Sequence, residues 1–163
     1  MALTGAALCT FLVGHLLGNC LLYVSAEAFN TYGHKLVTNP LIYLAEAGLL
    51  LVFLMHLGLA IRLTLENNSA RPQKYHMKTT TGRGATFASS TMPYTGLIIL
   101  VFLVLHLINF KYGPVYTATY GGVEMRDLHK LLLEYLASPV NVVWYVFSSV
   151  ALGIHVSHGF WSM

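Results

Sequence analysis

The chain has 163 residues, of which 56% are apolar and 9% charged, and its mean hydropathy is +0.63. Those values exclude an ordinary soluble globular domain and place the chain among membrane proteins. A formal charge of +3, scattered along the sequence, excludes an electrostatic nucleic-acid binder and bears mainly on topology.

The first apolar run, MALTGAALCTFLVGHLLGN, lacks the basic n-region and small-residue cleavage site of a signal peptide, so it reads as a retained helix from about Leu3 to Tyr23. Cys9 and Cys20 both lie in it, about 16 Å apart on a helical rise, too far for an intrachain disulfide. A short polar link, SAEAFNTYGHKLVTN, follows. Pro40 suits the first turn of a second helix reaching about Arg62, because its missing amide proton is no loss there. The next link, from Arg62 to Gly84, carries Arg62, Arg71, Lys74, Lys78 and Arg83 against one acid, Glu66, and by the positive-inside rule faces the cytoplasm.

A third and shortest helix spans roughly Tyr94 to Phe110. The link after it balances Lys111, Arg126 and Lys130 against Glu124, Asp127 and Glu134, as suits the outer side. Its stretch from Arg126 to Leu136 has leucines at helical spacing and reads as an amphipathic turn or two on the membrane surface. The last helix runs from near Pro139 to about Trp161, which returns both ends to the cytoplasmic side. The expected architecture is a single all-α domain over 1–163, an integral membrane bundle of four transmembrane helices with almost no tails, as in a trimmed form of a longer protein. Charges confined to the links are the mark of such a bundle, and no repeat is strong enough to argue from.

Each apolar run carries a histidine: His15, His56 and His106, and in the last both His155 and His158. Ionisable residues in hydrocarbon are costly and point to function, and neutral imidazole is a common ligand for haem iron. One such histidine taken alone is more often a hydrogen-bonding bridge between helices. Four at matched depths are harder to explain that way. His15 and His106 fall two thirds of the way along outward helices, and His56 and His155 two thirds along inward ones, giving two layers roughly 10 Å apart. Depth pairs His15 with His106 as an outer set of iron ligands and His56 with His155 as an inner set, so two bis-histidine haems are expected. No CxxCH sequence is present, so both would be haem b, held without covalent links. Gly14, Gly18, Gly58 and Gly153 beside these histidines leave room for a porphyrin or for close helix packing. Either His155 or His158 can serve as the inner ligand, His155 being the deeper.

His34, His76 and His129 fall in links, where solvated histidines are the rule, with His34 and His129 open as outer-face contacts to a propionate or a quinone. Further polar residues in or near the membrane are Glu46, Glu27, Asn30, Asn19 and Asn109. Of these Glu46, Glu27 and Asn30, with His34, are the quinone or proton candidates. Glu46 reads either as a carboxyl snorkelling to the interface or as a proton carrier for a quinone. Arg62 reads either as a propionate partner or as an ordinary cytoplasmic anchor.

MALTGAALCTFLVGHLLGN (1–19), AEAFNTYGHKL (26–36), FLMHLGLAIR (53–62), HLINF (106–110) and ALGIHVSHGFWS (151–162) together resemble the cytochrome b membrane anchor of succinate dehydrogenase and fumarate reductase, of the single-subunit, dihaem b558 type. No single piece is highly specific, but their order and spacing are. The resemblance implies that His15, His56, His106 and His155 bind the iron of two b haems, and it favours His155 over His158. It also implies docking to a flavoprotein and an iron-sulfur subunit on the cytoplasmic side of the cell's inner membrane. Electrons then pass between succinate or fumarate and a membrane quinone, usually menaquinone, as part of the tricarboxylic acid cycle or its reverse. The sequence departs from the family's pattern in stopping at Met163, before a fifth membrane helix, and in lacking a basic amino-terminal extension; a separate small membrane subunit is one way to complete the bundle. The chain has no flavin fingerprint or iron-sulfur cysteine cluster, so it is not expected to act on succinate by itself. The rival readings are a cytochrome b subunit of a hydrogenase or formate dehydrogenase, a b561-like protein, and a haemless structural anchor or small transporter.

Overall fold

In the computed structural model the described residues are 1–70 and 87–161. Most of the basic link that sets the expected orientation, with Arg71, Lys74, Lys78, Arg83 and His76, lies outside them.

Among the described residues four helices are long and apolar enough to cross a bilayer. They are α1 (Ala2–Cys20), extended by a 3-10 turn to Tyr23, α3 (Leu41–Ser69), α4 (Phe87–His106) and α6 (Pro139–Trp161). Nothing in lipid competes for backbone hydrogen bonds, so apolar runs of this length close them internally as helix. The helix α6 has the bounds its sequence suggests. The second span runs on past Arg62 to Ser69, where Arg62 Nε meets Glu66 Oε1 at 2.7 Å. At 29 residues α3 is about 44 Å long, more than the hydrocarbon core requires, so this ion pair marks a projecting end. The third span starts before Pro93 rather than after it, and the Thr95 hydroxyl reaches back to the carbonyls of Thr91 and Met92 at 3.2 and 3.1 Å. Tertiary context thus carries the helix through a residue that reads as its boundary. Its far end loosens into a π-helical turn, Leu107–Lys111, directly after His106.

The first link is not a loop. Residues Ala26–Thr38 form α2, capped by the Ser25 hydroxyl, which accepts from the Ala28 amide at 3.0 Å. It lies close on α1 because residue 18 is glycine: a Cβ there would stand 2.6 Å from Tyr32 Cε1. The third link adds an antiparallel hairpin, β1 (Thr117–Tyr120) and β2 (Val123–Arg126), before α5 (Leu128–Leu136). Gly121 and Gly122 supply the two consecutive positive φ angles, 57° and 79°, that a two-residue hairpin turn requires. The amphipathic helix expected here is α5, starting two residues later than read, with Asp127 as its N-cap.

Helix α2, the hairpin and α5 pack together as a cap over one end of the bundle. Asn30, with no exposed surface, joins them: its Nδ2 donates to Asp127 Oδ1 at 2.9 Å, and its Oδ1 accepts from the His129 amide at 3.0 Å. Met125 and Leu131 are buried beside it. The spans are open by contrast, with at most 11% of any span's apolar window buried within the chain.

Candidate functional site

The helices α1 and α4 run parallel, and His15 and His106, late in each, face one another with ring centroids 5.8 Å apart and planes at 82°. The helices α3 and α6 return antiparallel to them, and His56 and His155 face one another at 6.5 Å and 67°. The four histidines singled out in the sequence therefore come together as the two pairs that depth suggests. His155, not His158, is the residue opposite His56.

The separation of the two layers is larger than the 10 Å expected. His56 Nδ1 lies 3.1 Å from the hydroxyl of Thr4, and His155 Nδ1 lies 3.1 Å from that of Thr95. Thr4 is eleven residues before His15, and Thr95 is eleven before His106, which is about 16 Å along each helix. Estimating depth as a fraction of helix length fails because the spans differ in length, from 22 residues in Ala2–Tyr23 to 29 in Leu41–Ser69.

Eleven residues is close to three whole turns, so each threonine sits on the same face of its helix as the histidine it precedes. The surrounding sequence is itself repeated. TG-x5-FLV-x-HL occurs at Thr4–Leu16 and again at Thr95–Leu107, a signal the sequence reading missed. Each copy does the same work in space. Phe11 and Phe102 lie one turn before their histidines, with ring centroids 5.5 and 5.6 Å from them. Gly5 and Gly96 each face the opposite imidazole, where a Cβ would stand in ordinary van der Waals contact, 3.7 Å from His56 Cε1 or 3.4 Å from His155 Cε1. Two like helices running in the same direction imply a pseudo-twofold axis along the membrane normal. Both histidine pairs lie across it.

The His15–His106 layer is closed on the cap side by aromatic rings. Tyr145 places its hydroxyl 3.0 Å from His106 Nδ1, and Phe102, Phe110 and Tyr135 pack around the two. Tyr135 also accepts from Asn109 Nδ2 at 2.9 Å, which ties α5 to the π turn. Of these partners only Asn109 stood out in the sequence, where aromatic residues at helical spacing look like ordinary core.

The remaining polar candidates divide. Asn30 has both side-chain polar atoms engaged inside the cap. Glu27 lies in the first turn of α2 on an open groove with Ser25 and Lys35, and His34 is on the same helix. Glu46 pairs with Lys111 at 2.5 Å and edges an apolar cavity of about 300 Å³ lined by Ala7, Phe11, Ile42 and Leu49. Asn19 donates to the His15 carbonyl at 2.7 Å, and Arg62 is committed to Glu66.

A haem is compatible with these residues. Two imidazole nitrogens each about 2 Å from one metal ion put ring centres about 6 Å apart, near both observed separations. In His56, His106 and His155 the Nδ1 atom meets a hydroxyl, which leaves Nε2 as the free ligand atom. Among the described residues no group of three or more histidines, cysteines or carboxylates gathers. Two-imidazole sites instead suit a group whose macrocycle brings its own equatorial ligands.

No family model matches the chain, and no solved structure matches it. The chain is 27% identical over 155 residues, covering 93% of itself and 69% of the other protein, to the succinate dehydrogenase cytochrome b558 subunit of Bacillus subtilis (strain 168), which supports the resemblance to cytochrome b membrane subunits that its motifs carry.

Proposed function

We propose that the chain is a dihaem cytochrome b that anchors a succinate:quinone oxidoreductase, a succinate dehydrogenase or fumarate reductase, in the cytoplasmic membrane. The observation that carries this reading is the pair of facing histidine couples, 5.8 and 6.5 Å between centroids, in two layers across four apolar helices. His15 and His106 would hold one haem b and His56 and His155 the other. Bound there, haem supplies reversible one-electron transfer. The chain's own residues fix the ligands, exclude water with Phe11, Phe102 and Phe110, and set the electronic environment through hydrogen bonds to Nδ1.

On this reading the cap faces outward, and the layer of His56 and His155 lies nearer the cytoplasm, where the flavoprotein and iron-sulfur subunits dock. Both ends of the chain lie on that side. The quinone, menaquinone by family resemblance, fits the apolar cavity between α1 and α3. Phe11 there leads to His15, and Glu46, paired with Lys111, stands at the polar edge to exchange protons.

Copurification tests this assignment. The chain, expressed with its neighbours in the native membrane, is expected to carry two b-type haems and to retain a flavoprotein and an iron-sulfur protein. A haem-loaded chain with a hydrogenase or formate dehydrogenase attached would move it to another quinone-linked complex. A colourless, folded chain would make it a structural anchor.

A further inference from the structure

The two threonines of the repeated motif have their hydroxyl hydrogens committed. Thr4 Oγ1 donates to the Met1 carbonyl at 2.8 Å, and Thr95 Oγ1 donates to the Thr91 and Met92 carbonyls at 3.2 and 3.1 Å. A hydroxyl has one hydrogen and two lone pairs, so each threonine has only acceptor capacity left for the imidazole 3.1 Å away. With each hydroxyl hydrogen assigned to its backbone carbonyl, the hydrogen in that contact comes from the histidine. Nδ1 of His56 and of His155 is therefore the protonated nitrogen, and each Nε2 carries the lone pair.

We infer that Thr4 and Thr95 are positioning residues that lock His56 and His155 in the Nδ1–H tautomer and hold each Nε2 ready to bind iron. This deepens the dihaem reading and rests on it. The device is built twice, once per copy of TG-x5-FLV-x-HL, and each copy serves both layers. Its histidine faces its twin, while its threonine, three turns earlier, steers the histidine of the antiparallel helix. Donation from Nδ1–H to an oxygen acceptor raises the basicity of Nε2, which favours the oxidised iron and lowers its potential. The other layer is built differently. His106 meets the phenol of Tyr145, whose hydroxyl donates to no backbone carbonyl among the described residues.

The test uses the intact membrane complex carrying Thr4→Val, Thr95→Val, the double change, or serine at each position. Reductive titration reads the midpoint of each haem, and apomyoglobin capture reads haem retention. His56→Ala assigns which haem belongs to this layer. Valine is expected to raise the midpoint of that haem alone, most in the double variant, and to weaken its retention about 10-fold. Serine is expected to restore both. Unchanged midpoints, equal shifts in both haems, or serine behaving like valine would overturn the inference. A wild-type complex without haem would instead overturn the parent reading, and the single variants carry the readout if the double variant does not assemble.

Discussion

In the cap, Asn30 is sealed from solvent with both side-chain polar atoms bonded to Asp127 and His129, and Met125 and Leu131 close the space around it. In the bundle, His56, His106 and His155 each engage Nδ1 with a hydroxyl and keep Nε2 for a further partner, while most of the apolar surface stays exposed within the chain. Both regions use buried polar groups, but Asn30 has its amide nitrogen and oxygen both engaged, whereas these histidines each engage one ring nitrogen. A saturated polar group specifies one packing and little else. A half-used imidazole in an apolar setting is a costly arrangement that makes sense when a further partner completes it. The contrast accords with the proposal that the spans, rather than the cap, carry the chemistry.

The largest effect that separates the two should come from the histidines. His15→Ala or His106→Ala is expected to abolish one haem and leave the other, and His56→Ala or His155→Ala to remove the second alone, counted by pyridine haemochrome. Loss of both haems from any one of these changes would break the independence of the layers.

Asn30→Leu tests the cap. It removes one donor and one acceptor, stranding the His129 amide and leaving Asp127 Oδ1 with the Lys130 amide, and should cost about 1–3 kcal/mol of local stability. Hydrogen exchange is expected to speed up across α2, the hairpin and α5 while the His56–His155 layer keeps its spectrum. Equal acceleration throughout α3 and α6 would show that the cap and bundle are one unit.

Acid should also discriminate. Burial pushes the Asp127 carboxyl up, but hydrogen bonds from the Lys130 amide and the Asn30 side chain, with the charges of His129 and Lys130, outweigh it and hold the group below its ordinary value of 3.8. A depressed folded pKa gives stability that is present above that value and lost as pH falls through the lower, folded one. Cap protection should thus weaken below about pH 4 in the wild type, and Asp127→Asn should remove this part of the acid sensitivity. The smallest effect belongs to the exposed Arg62–Glu66 pair. Arg62→Ala should cost about 0.3–0.5 kcal/mol and leave both regions unchanged in haem content.

Much of this contrast was legible in the residues. The span α6 could be bounded from Pro139 to Trp161 because a proline and a long apolar run leave few alternatives. The histidine couples followed from direction and depth. The helix α2 was missed because its stabilising feature is a buried asparagine rather than an apolar stripe, although Ser25 before Ala26-Glu27 is a capping signal. The Gly121-Gly122 pair between TATY and VEMR was a hairpin signal passed over. The TG-x5-FLV-x-HL repeat was equally plain on the page, but its meaning needs the antiparallel neighbour that brings Thr4 to His56 and Thr95 to His155. The π turn after His106 has no local sequence mark and depends on tertiary packing, including the Asn109–Tyr135 contact.

The most direct test of the central claim is a dithionite-reduced minus oxidised absorbance spectrum of the purified complex, with haem counted per chain in the wild type and in His15→Ala and His56→Ala. Two b-type haems in the wild type, and one remaining, different haem in each variant, are the predicted result. No haem in a folded complex, or the same haem missing from both variants, would contradict it.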